Sequence, residues 1–203
     1  MNKSMLLALG LLAAGTMGAH AADLATPPKA PPAMAPMAPA LYVQLLAGPT
    51  LPLDTLFDTF PDKTKTGYAA AATVGVVVAK GVSLEADGLY TKRDFANAAG
   101  SVTTVSGMVN VKGTLDVSDS IALYAAAGVG YIWLDDGFNN VTGNSGSGFG
   151  YQLIGGAAFK VADKISILGE ARYQNTFSAV TLPSKDTFQA PTVTVLAGVK
   201  LGF

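Results

Sequence analysis

The 203-residue chain contains no cysteine. Disulfides, thiolate metal sites and cysteine nucleophiles are thereby excluded. Histidine is nearly absent too: His20 is the single one, and it lies in an N-terminal segment built like a secretory leader. Lys3 supplies a positive start, Met5 to Ala14 forms a short apolar core, and Ala19-His20-Ala21 satisfies the small-x-small cleavage rule. Cleavage after Ala21, recognised through Ala19 and Ala21, is expected to remove residues 1–21 as a signal peptide. The mature chain then has neither His nor Cys. That removes Ser-His triads, imidazole acid–base chemistry and the usual zinc and haem ligands. The expectation is a protein with no catalytic residues, no cofactor and no metal.

Charge is also scarce. Lys, Arg, Asp and Glu make up 13% of the chain and the formal net charge is -1, so no basic field points to nucleic acid. Hydrophobic residues make up 50%, which excludes disorder as the dominant state. Long apolar runs are missing as well. A helical membrane span needs about 20 of them in a row. Past the leader, the apolar runs Gly67–Ala79 and Ile121–Leu134 are each stopped by charge, and Gly137–Phe159 is rich in Gly, Asn and Ser.

What is present is a strand pattern behind a spacer. Residues 22–40 are rich in Pro and Ala, as in "ATPPKAPPAMAPMAPA", which predicts an extended periplasmic linker. Residues 41–203 then read as eight strands: Leu41–Gly48, Gly67–Ala79, Val82–Thr91, Val102–Leu115, Ile121–Leu134, Phe149–Val161, Ile165–Phe177 and Thr192–Phe203. The connections after the second, fourth and sixth are tight ("KG", "DVSDS", "ADK"). The others are long and polar or Gly/Asn-rich, such as Pro49–Thr66 and Asp135–Gly148. An antiparallel meander places alternate connections at opposite ends. The pattern therefore predicts one end of short turns and one of long loops, as in outer-membrane barrels with periplasmic turns and extracellular loops.

Each strand has two unlike faces. Val82, Leu84, Ala86, Gly88 and Tyr90 oppose Ser83, Glu85, Asp87, Leu89 and Thr91; Ile165, Ile167, Gly169, Ala171 and Tyr173 oppose Ser166, Leu168, Glu170, Arg172 and Gln174. Mid-strand charge keeps to one parity. A water-facing exterior wants roughly a quarter to a third charged residues, so the polar face is too poor in charge to be an outside. It suits a narrow interior, while the apolar face suits lipid. An open sheet in lipid would leave edge N–H and C=O groups unpaired, so closure is required. The predicted fold is all-β: an eight-stranded antiparallel up-and-down transmembrane β-barrel. Tyr68, Tyr90, Tyr131, Trp133, Tyr151 and Tyr173 near the loop ends, with Phe159 and Phe203 near the turn ends, fit two aromatic girdles.

The inward set holds Glu85, Asp87 and Glu170 against Lys112, Arg172 and Lys200. A balanced set in a narrow lumen predicts paired ions that plug it, because an unpaired buried charge is costly and eight strands leave an interior that side chains can fill. Glu85 and Lys112 are expected to pair, each lying a few residues from a turn. Ion selectivity in a small pore is the alternative use of these charges. In the closing segment, Val199, Leu201 and Phe203 share the lipid parity, with the aromatic at the turn end.

Several stretches carry a family likeness: "AADLATPPKAPP", "LYVQLLAG", "SLEADGLY", "LYAAAGVGY", "FGYQLIGGAAFKVADKISILGEARY" and "LAGVKLGF". Together they resemble the small outer-membrane β-barrel proteins of alphaproteobacteria, the opacity-protein-like, porin-family surface antigens. The stretch Phe149–Tyr173 is the most specific, and the first strand departs from the family's aromatic-Tyr-Val-Gly pattern with Leu41-Tyr42-Val43-Gln44. The resemblance implies an eight-stranded barrel in the Gram-negative outer membrane. Roles in that family are envelope integrity, surface antigenicity and, in some members, adhesion or haem binding. It also implies that Val199, Leu201 and Phe203 form an insertion signal read by the barrel-assembly machinery, with periplasmic chaperones acting before it. The partners expected are thus outer-membrane lipid, that machinery, and a host or surface ligand met through the loops, among them "TLFDTF", Thr55 to Phe60.

Overall fold

β-Branched and aromatic residues recur on one parity of each long segment, a composition that fits a pleated surface. In the computed structural model these segments are strands. The structure describes residues 40–51, 64–96, 99–137, 145–178, 180–181, 187–188 and 191–203. The expected signal peptide, the Pro/Ala-rich segment up to residue 39 and Thr55–Phe60 lie outside the described residues.

The described residues form ten strands: β1 (Leu41–Leu51), β2 (Gly67–Ala79), β3 (Val82–Asp94), β4 (Ser101–Asp116), β5 (Ile121–Asp136), β6 (Ser145–Ala162), β7 (Ile165–Thr176), β8 (Val180–Thr181), β9 (Thr187–Phe188) and β10 (Thr192–Gly202). Eight of them close in the order β1-β10-β7-β6-β5-β4-β3-β2. Every pair is antiparallel, and β1 completes the ring: Val43 faces Leu201 on one side and Val74 on the other. Closure pairs both edges of the sheet, which a lipid environment demands.

Two differences from the sequence-based expectation stand out. Asp135 and Ser145–Gly148, expected in a loop, belong to the sheet: Asp135 pairs with Ser145, Leu134 with Gly146, Trp133 with Ser147 and Ile132 with Gly148. Ser and Gly are poor strand formers, yet the backbone of β5 needs ladder partners here, and that need decides. The same effect carries β1 to Leu51 and β3 to Asp94. The second difference is the small hairpin of β8 and β9, in which Val180 pairs with Phe188 and Thr181 with Thr187. Strands of two residues are too short to show a period.

The faces divide by parity. Val109, Leu115, Val129, Leu153 and Phe203 are among the exposed large apolar residues. Glu85, Asp87, Lys112, Glu170 and Arg172 are all at most 5% exposed, so the charges turn inward. The interior also holds an apolar cluster that includes Leu46, Leu89, Ile154, Leu168 and Leu196. On the outside, ring contacts join Tyr68 to Tyr90, Tyr131 to Trp133 and Phe149, and Tyr151 to Tyr173 and Phe177, three aromatic groups toward the loop end.

Candidate functional site in the barrel lumen

The lumen is built from residues two apart on each strand, so its chemistry follows from parity and register. On β3, Ser83 faces Lys112 of β4 and Glu85 faces Asn110. Glu85 and Lys112 are therefore diagonal neighbours on one face, close enough for long side chains. Lys112 Nζ donates to Glu85 Oε1 as a buried ion pair. The same carboxylate oxygen accepts from Tyr42 Oη at 2.7 Å and from Gln44 Nε2 at 3.5 Å. Lys112 Nζ also stands 4.8 Å from the ring centres of Tyr42 and Tyr124.

A second cluster lies beside the first. Arg172 on β7 donates from Nη1 to both oxygens of Asp87 on β3, at 2.8 and 2.9 Å, and from Nε to Glu170 Oε1. One guanidinium thus holds two carboxylates, one of them across the barrel from a strand that is not its neighbour. The remaining acceptors are occupied: Thr73 Oγ1 donates to Asp87 Oδ2 at 2.6 Å, and Tyr124 Oη donates to Glu170 Oε2 at 2.9 Å. Gln152 Nε2 reaches Asn110 Oδ1 at 2.6 Å and Asp87 Oδ1 at 3.3 Å, and Gln174 Nε2 reaches Gln152 Oε1 at 2.8 Å. Charge-assisted bonds of this kind are about twice as strong as neutral ones, and among the described residues the Asn110 amide nitrogen is the one group of this network left without a partner.

Two tyrosines enter the lumen because glycines lie under them. A Cβ on Gly75 would sit 2.2 Å from Tyr42 Cζ, and one on Gly156 would sit 2.6 Å from Tyr124 Cζ. Without those gaps neither phenol could reach its carboxylate.

The six charges singled out from sequence divide as follows. Glu85 and Lys112 are brought together, as are Asp87, Glu170 and Arg172. Lys200 corrects the expectation that every interior ion has a counter-ion. It is partly buried and stands 4.3 Å from the Tyr42 ring centre, and it forms no carboxylate pair among the described residues. The Tyr42 carboxylate partner is already held by Lys112, so the aromatic face is what remains for Lys200. Sequence reasoning missed Tyr42, Tyr124 and Arg93. Arg93 is 1% exposed and faces inward on β3. Its parity matches that of Glu85 and Asp87, a signal available once the strand is extended past Thr91. The insertion-signal residues Val199, Leu201 and Phe203 all face outward, 41%, 40% and 70% exposed.

A cleft of about 180 Å³ opens at the turn end, with Gln44, Lys112, Tyr124, Leu168 and Lys200 in its lining. It therefore reaches the first cluster of ions. Among the described residues, no three His, Cys, Asp or Glu side chains converge as a metal-binding group.

Among solved structures, the fold is similar to that of Neisserial surface protein A, with a TM-score of 0.64, 15% identity, and coverage of 81% of this chain and 99% of that one. It is also similar to the outer membrane protein OprG from Pseudomonas aeruginosa, with a TM-score of 0.53, 11% identity, and coverage of 82% and 96%. At these identities the likeness concerns the fold alone. No curated protein matches the sequence. The family described as outer membrane protein beta-barrel domain matches residues 7–200. With its closed ring of eight strands and apolar exterior, the chain belongs to that family and is a β-barrel of the Gram-negative outer membrane.

Proposed function

We propose that this barrel is a structural and surface-interaction protein, an opacity-protein-like antigen that supports envelope integrity or adhesion through its loops. The lumen is closed by its own ions. The observation that carries this reading is the Arg172 guanidinium bound to Asp87 across the barrel and to Glu170 on its own strand, with all three side chains at most 5% exposed. An interior so filled leaves no wide aqueous path. A catalytic role is not part of the proposal, and a lipid A-modification assay giving product would refute that element.

The second reading is a small pore for ions or tiny solutes, favoured by the turn-end cleft that reaches Lys112 and Lys200. Planar-bilayer recording separates the two. The plugged barrel is expected to show no stable stepwise openings, and regular conductance steps from the purified protein would favour the pore. Deletion of the gene is expected to raise envelope permeability or lower host-cell binding; unchanged values for both would remove the structural and adhesive role.

We also infer that Val199, Leu201 and Phe203 engage the barrel-assembly machinery after periplasmic chaperones deliver the chain. Their outward placement supports this reading. Phe203→Ala is expected to reduce the folded, membrane-inserted fraction in cells several-fold without changing spontaneous folding into detergent. Equal insertion of both forms would contradict it.

A further inference from the structure

The polar groups of the lumen are unevenly satisfied. Glu85, Asp87 and Glu170 each have cationic partners, whereas Arg93 at the loop end has none among the residues whose side chains are described. Its Nε, Nη1 and Nη2 are buried and without a hydrogen-bond partner among the described residues. Its stem packs on Gly67, where a Cβ would lie 2.7 Å from Arg93 Cγ. The residue facing it on β4 is Val102, which is fully buried and apolar. Asp94, the nearest acid on β3, is exposed on the opposite parity. The next inward acid on that strand is Asp87, already held by Arg172 and six residues away, about 20 Å along an extended chain.

Hydroxyl groups surround this end. Thr91 lies two residues before Arg93 on the same face and pairs in register with Thr104; both hydroxyls are buried and unpartnered among the described residues. Thr64, Thr176 and Thr194 are in the same condition. Buried polar atoms without protein partners call for a bound water or ion. Hydroxyls can take water, but a guanidinium keeps its charge at any ordinary pH and offers a planar fork of donors that matches an oxyanion. Burying that charge alone is costly.

We propose that Arg93, with the Thr91 and Thr104 hydroxyls beside it, forms a binding site for a phosphate-class oxyanion at the loop-end mouth of the lumen. The oxyanion is either free phosphate or the phosphate of a lipid headgroup reaching over the rim. The site is separate from the ion clusters that close the lumen, so it stands whether or not the surface-interaction reading does.

The test uses the full mature barrel folded in a phosphate-free maltoside detergent and titrated with inorganic phosphate, with calorimetry and thermal unfolding as readouts. Wild type is expected to bind saturably and to gain roughly 5 °C of melting temperature or more at a hundredfold excess over Kd. Arg93→Gln is expected to lose at least tenfold in affinity and most of the thermal shift, while unfolding at the same or a higher temperature without phosphate. Arg93→Lys, which keeps the charge but not the fork, is expected to fall between. A second arm compares nanodiscs made with and without phosphomonoester headgroups. A gain confined to those lipids and lost in Arg93→Gln assigns the anion to the headgroup. Should Arg93→Gln fail to fold, Thr91→Val with Thr104→Val takes its place and is expected to weaken binding. No saturable response to either phosphate source, or an equal response in wild type and variant, would overturn the proposal.

Discussion

Arg172→Met is expected to lower the unfolding free energy of the barrel by about 3–5 kcal/mol, the cost of leaving a buried charge without its partner. Two carboxylates depend on this guanidinium: Asp87 through both oxygens and Glu170 through one. The side chains of all three are at most 1% exposed, so water cannot replace the lost donor without opening the lumen. Urea unfolding in lipid or detergent, followed through the fluorescence of Trp133, measures the loss. A triple variant, Arg172→Met with Asp87→Leu and Glu170→Leu, removes every charge of the cluster and should recover much of the stability, since apolar replacement of a whole buried ion group is often neutral. A loss from Arg172→Met below about 1 kcal/mol, the range of solvated pairs, would mean that the lumen is wet. The Glu85–Lys112 pair allows a companion cycle, in which strictly additive single and double Ala losses would count against a direct interaction.

Val109→Arg is expected to cost about 2–4 kcal/mol, the penalty for a cation at the midplane of a lipid-facing barrel strand. Val109 is 63% exposed and near the middle of β4, between Ala86 and Val129. The control is Val117→Arg. Val117 is 59% exposed but lies in the turn after β4, where the same change should cost about 0–1 kcal/mol. The ratio between the two sites is the informative quantity, because both valines are equally open. Similar small losses at both would place Val109 in water.

Alternation along Val82–Thr91 was legible because a charge on the lipid face is so costly that Glu85 and Asp87 must share the other side. The strand ends were not. In "TKRD" the apolar alternation stops, and Arg93 drops out of view although it keeps the inward parity. Ser145–Gly148 was hidden for a related reason: the ladder with β5 holds it as strand, and its own side chains do not. Diagonal contacts between neighbouring strands were within reach of sequence, as Glu85 and Lys112 illustrate. The contact from Arg172 to Asp87 was not, because it crosses the lumen between residues 85 apart in the chain. Parity says which side chains enter a barrel, but only closure and register say which of them meet. Tyr42 makes the same point, since its inward placement requires Gly75 of the adjoining strand to lie directly beneath the ring.

In the assembled barrel the apolar face of each strand should meet acyl chains and the polar face a filled interior. The absence of cysteine makes a direct measurement simple. Single cysteines introduced one at a time from Val105 to Lys112, spin-labelled in the reconstituted protein, report collision with oxygen, which concentrates in lipid, and with a water-soluble nickel complex. High oxygen access with nickel excluded is predicted at Val105, Gly107, Val109 and Val111, and low access to oxygen at Ser106, Met108, Asn110 and Lys112. A scan without that alternation, or one in which nickel reaches Val109, would contradict a lipid-facing apolar surface.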